Sequence, residues 1–136
     1  MEAYQWIHPA AGLSAVLLLA ATAWTKWGPK KYFRLHYGLA GATVTMMIAT
    51  LGLGIYVLGR CDCPGDWPDS FLIHAGLAFL FLVFLLGQAT MGVSMLLFGR
   101  KPRLWRTHRR NAKLLLGLVV PLVLLGVTTV VLLLLS

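Results

Sequence analysis

Apolar residues gather in four long stretches along the chain, at approximately 6–27, 35–59, 71–98 and 109–135, parted by short polar segments. A hydrocarbon core of roughly 30 Å takes about 20 residues of helix to cross, and every stretch is long enough. The pattern predicts an all-α membrane protein, a four-helix up-and-down transmembrane bundle forming a single domain over 1–136. Local signals punctuate it. Pro9 stands where a first-turn N–H has no partner inside the helix, and Gly28-Pro29 separates the first two spans. Pro68-Asp69-Ser70 opens the third, with Asp69 or Ser70 as N-cap. Pro121 removes one backbone hydrogen bond inside the fourth and predicts a kink. No long sequence repeat is evident.

Composition agrees with this pattern. The chain is 59% hydrophobic and 12% charged, with a mean hydropathy of +0.80, more apolar surface than a soluble domain can hide. Four spans use nearly all 136 residues, so the expected protein is a small subunit without an extramembrane domain. The first span is expected to be retained, because MEAYQW carries no basic leader and the cations follow the apolar run.

A net charge of +8 would suggest nucleic acid in a soluble chain, but its placement suggests topology and excludes that partner. The segments TKWGPKKYFR and GRKPRLWRTHRRNAK hold eleven of the twelve Lys and Arg, whereas Glu2, Asp62, Asp66 and Asp69 lie at the N-terminus or in the middle loop. Cytoplasmic loops carry such a cationic excess. The expected localisation is therefore integral, multi-pass, with both termini and the loop GRCDCPGDWPDS outside the cytoplasm. Cys61 and Cys63 fall in that outer loop as a structural pair or a surface contact. The absence of C-x-x-C-H gives no indication of covalent haem attachment.

The chemistry is carried by histidine. The chain has four, His8, His36, His74 and His108, one near the start of each span. Consecutive helices of an up-and-down bundle start on opposite faces, which puts His8 and His74 on the outer side and His36 and His108 on the cytoplasmic side. The residue four positions after each is small (Gly12, Ala40, Ala78, Ala112) and shares its helix face, leaving space for a flat group. Thr43, Met47 and Thr50 continue the His36 face, and Gln88 lies near that of His74. An ionisable side chain within a span is costly and tends to mark function. All four are therefore candidate iron ligands, arranged as two haem b sites: outer His8/His74 and cytoplasmic His36/His108. With imidazole on both sides of each iron the expected activity is one-electron transfer across the membrane. Arg34, Arg106 and Arg109 inside, and Arg60 outside, are candidate partners for haem propionates.

These residues resemble the cytochrome b561 family: His8-Pro9 opening the first helix, His36 early in the second, His74 with Gly76, Leu77, Gln88 and Gly92 in the third, and His108 opening the fourth. The likeness covers nearly the entire chain through short, degenerate motifs. It implies a four-helix core with two b-type haems held by His from alternate helices, and electron exchange with ascorbate, quinols or partner subunits. The chain lacks the two flanking helices of ascorbate-linked members, which directs the expectation to a larger redox complex, with membrane lipid around it and quinone as a candidate partner. Two other classes compete: a (bacterio)chlorophyll-binding protein, and a haem-free structural or assembly subunit.

Overall fold

The structure, a computed structural model, describes residues 6–25, 32–60 and 69–135, apart from the side chains at 60, 133 and 134. Four α-helices account for almost all of them: α1 Ile7–Trp24, α2 Phe33–Arg60, α3 Asp69–Phe98 and α4 Pro102–Leu135. Each is long and apolar enough to cross a membrane. The chain is an all-α, multi-pass membrane protein, as its hydropathy predicts. By packing the chain forms two compact units, Met1–Asp62 and Cys63–Ser136. Each is an antiparallel helical hairpin, α1 against α2 and α3 against α4. Cys61 and Cys63 lie outside the described residues, as do Glu2, Asp62, Asp66 and the lysines at 26, 30 and 31.

Few side chains are buried. Ala15, Phe81 and Leu115 are almost fully enclosed within their hairpins, while Leu13, Leu17, Ile55, Phe79, Leu97 and Leu124 are exposed. Lipid tails are as apolar as leucine, so hairpins in a bilayer are joined by close packing and interhelical hydrogen bonds. Polar groups at the contacts supply these bonds. In the first hairpin the hydroxyls of Thr22 and Thr43 lie 3.1 Å apart, both buried. Each also reaches the carbonyl one turn back, Thr22 to Leu18 at 2.8 Å and Thr43 to Leu39 at 2.8 Å. No hydroxyl proton is left without an acceptor, the condition for polar groups inside a bilayer. Gly12 faces α2, where a Cβ would make an ordinary contact of 3.8 Å with the Thr50 methyl.

Two boundaries differ from the hydropathy reading. α4 begins at Pro102 rather than near 109, so the basic segment RLWRTHRR is helical. Arg and Lys are good helix formers, and charge keeps a residue out of the hydrocarbon without breaking its helix. At roughly 1.5 Å per residue, the 34 residues of α4 extend well beyond the apolar zone. The α3–α4 connection shrinks accordingly to Gly99, Arg100 and Lys101. Gly99 has φ +82°, a left-handed conformation that glycine adopts freely, and Pro102 opens the next helix with a ring preset for it. α3 includes Asp69 as its first residue, one position inside the expected cap, where its carboxylate complements the helix dipole. α4 continues through Pro121.

Gly99→Ala is expected to destabilise the second hairpin by about 1 kcal/mol, the cost of a left-handed L-residue. Reversible unfolding in mixed micelles checks this, with Gly117→Ala, in open space within α4, expected to be no less stable than the parent.

Candidate functional site: four tethered imidazoles

His8 is the second residue of α1, half-buried against α2. Its Nδ1 lies 3.0 Å from the main-chain oxygen of Thr50. A carbonyl can only accept, so Nδ1 carries the proton and the lone pair resides on Nε2. The ring rests on Gly54, where a Cβ would come within 3.0 Å of Cε1 and 3.2 Å of Nδ1. His74 of α3 repeats this arrangement on α4. Its Nδ1 lies 3.1 Å from the Leu122 oxygen, and a Cβ on Gly126 would come within 3.0 Å of its Cε1.

The opposite end of each hairpin holds the other two. His36 of α2 directs Nδ1 to the Thr22 oxygen at 3.1 Å and the Thr25 hydroxyl oxygen at 3.0 Å. That hydroxyl donates to the Thr22 oxygen at 2.6 Å, so the imidazole N–H is shared between two acceptors. His108 of α4 is held differently. Its Nε2 lies 3.0 Å from the amide nitrogen of Gln88 on α3. The amide of Asn111 donates to the Gln88 side-chain oxygen at 3.1 Å and to the Phe84 main-chain oxygen at 3.0 Å. With its oxygen so engaged, Gln88 presents N–H to His108, and Nε2 must be the accepting nitrogen. Trp105 stacks on the His108 ring at 6.1 Å between centroids, and a Cβ on Gly92 would lie 3.8 Å from Cε1, an ordinary contact.

All four imidazoles thus share one tautomer, with the proton on Nδ1. They also share a spacing that side-chain identity conceals. His8 and Thr22, His36 and Thr50, His74 and Gln88, and His108 and Leu122 are each fourteen residues apart. In every helix, the residue fourteen after the His holds the His of its neighbour. Eighteen residues after His36, His74 and His108 stand Gly54, Gly92 and Gly126, the three glycines beneath the rings. The sequence shows no long repeat, but the structure contains the fourteen-residue spacing four times and the glycine three times. Each hairpin carries one imidazole at each end, separated along the axis by roughly 20 Å, since fourteen residues rise about 1.5 Å each.

Within the first unit the structure keeps His8 and His36 apart, and within the second His74 and His108; each is joined instead to its neighbouring helix. Gly54, Gly126, Thr22 and Asn111 are site residues that side-chain chemistry alone does not reveal, although the His-to-Gly interval could have disclosed two of them. Arg34, Arg106 and Arg109 are exposed. Among the described residues no three His, Cys, Asp or Glu side chains gather to hold a bare metal ion. Comparison with family models, with curated proteins and with solved structures finds no match to this chain.

Proposed function

We propose that the chain is a dihaem b-type cytochrome that carries electrons across the membrane as a small subunit of a larger redox complex, with quinone as an exchange partner. His8 and His74 serve one haem on the outer side and His36 and His108 the other on the cytoplasmic side. The order of the helices supplies this pairing, and the charge asymmetry supplies the orientation, both termini outside.

The observation that carries the reading is the donation of Nδ1–H by His8, His36 and His74 to main-chain oxygens. Metal-ligating imidazoles almost always donate their second N–H in this way, which fixes the tautomer and ring orientation and raises the basicity of the ligating nitrogen. A main-chain oxygen does so without placing a further charge in the span. The residues present fit haem: Nε2 of His8, His36 and His74 would hold iron while Nδ1 keeps its main-chain acceptor, and Nε2 of His108 would do so in place of its hydrogen bond to Gln88. Bound haem would supply a one-electron couple. Of the candidate propionate partners, Arg34, Arg106 and Arg109 are placed by sequence at the cytoplasmic end, in keeping with the assigned orientation.

The hydrogen bonds of the four imidazoles also fasten the helices of each hairpin, which favours a haem-free structural subunit as the second reading. A difference spectrum separates them. Protein purified from its own membrane is expected to show b-type alpha bands, reduced minus oxidised, at about two haems per chain. A colourless preparation overturns the proposal, and extractable chlorophyll would transfer the ligands to a pigment protein.

A further inference from the structure

Gln88 departs from the rule that the other three helices obey. Fourteen residues after its His, each of α1, α2 and α4 offers a main-chain oxygen to a neighbouring Nδ1–H. At the same place α3 offers a side-chain N–H, and it goes to Nε2, the nitrogen that would bind iron. Gln88 is held in that orientation. Asn111 is 9% exposed and spends one N–H on the Phe84 oxygen and the other on the Gln88 oxygen. Turning the Gln88 amide over would set N–H against N–H, at a cost that a buried donor within a span does not readily recover.

We propose that Gln88, oriented by Asn111, competes with iron for the Nε2 lone pair of His108. The His36/His108 pair is then the second to take haem, and Gln88 controls its occupancy. This inference rests on the dihaem reading above and adds an order of loading to it. At His8, His36 and His74 the hydrogen bond to the neighbouring helix is made by Nδ1, not by the nitrogen that would bind iron. At His108 the tether must be released before iron binds. One neutral hydrogen bond corresponds to roughly threefold to tenfold in affinity.

The test is titration of the haem-free chain with haem, followed optically, with His36→Ala assigning the phases. The parent is expected to bind in two phases, the weaker lost in His36→Ala. Gln88→Leu is expected to tighten the weaker phase roughly threefold to tenfold and leave the stronger unchanged. Asn111→Leu, which keeps Gln88 but frees its amide to turn, should act in the same direction and serves if Gln88→Leu folds poorly. Side-chain 15N resonances of the haem-free parent should show Nε2 of His108 unprotonated and shifted by either substitution. A second phase unchanged or weakened in both variants overturns the competition while the dihaem reading stands. Failure of the parent to take up any haem overturns both.

Discussion

Alanine at His74 is expected to reduce the chain from two haems to one, and alanine at His8 to remove the same haem. If the two imidazoles serve opposite faces of one iron, either loss leaves a single axial ligand and a noncovalent haem that dissociates on purification. The double variant should then be no worse than either single one, since residues acting as a unit do not contribute additively. His36→Ala and His108→Ala should form a second such set, each losing the other haem. The structural reading predicts a much smaller effect. There, each imidazole contributes one interhelical hydrogen bond, about 1 kcal/mol or less in a bilayer, and alanine lowers stability slightly with no spectral change. Haem content per chain across the four single variants decides between a loss of half the chromophore and no loss.

The second large effect is expected at two glycines that bind nothing. Alanine is favoured over glycine inside a helix by about 1 kcal/mol, so on propensity alone Gly54→Ala and Gly126→Ala should stabilise α2 and α4. The added methyl would, however, lie 3.0 Å from Cε1 of His8 or of His74. The ring has to move, and because Nδ1 is tied to the carbonyl one turn back, moving it stretches that bond and displaces Nε2. Both substitutions are expected to weaken the outer haem by tenfold or more, the usual range for disturbing a ligand's outer-shell partner. Gly92→Ala is the control. Its methyl would stand 3.8 Å from the His108 ring, and haem content is expected to stay at the parent level. Equal retention in all three variants would mean the rings yield freely and are not fixed by their glycines.

Hydropathy alone locates four spans because lipid demands long apolar helices and little else competes with that signal. The same criterion misplaces the start of α4, where Arg103, Arg106, Arg109 and Arg110 end the apolar stretch but not the helix. The four His are visible because an ionisable residue stands out in a span. Their tethers are less visible, for a physical reason. The acceptors at Thr22, Thr50 and Leu122 are main-chain oxygens, which every residue type supplies, so a recurrent contact leaves no recurrent letter. Only where contact excludes a side chain does identity matter, and there the interval from His36 to Gly54 and from His108 to Gly126 was legible. Helical spacing puts Gln88 near the His74 face, but its hydrogen bond runs to His108, across the hairpin. Pairing of α3 with α4 in an antiparallel register is needed to see that.

Central to the proposed function is iron held on both sides by Nε2 of His from non-adjacent helices. Electron paramagnetic resonance of the oxidised protein, recorded on the parent and on His8→Ala and His36→Ala, tests it most directly. The account predicts two low-spin ferric signals of the bis-imidazole kind in the parent, one abolished by each substitution. A high-spin signal typical of a single axial ligand, or low-spin signals that survive both substitutions, would contradict it.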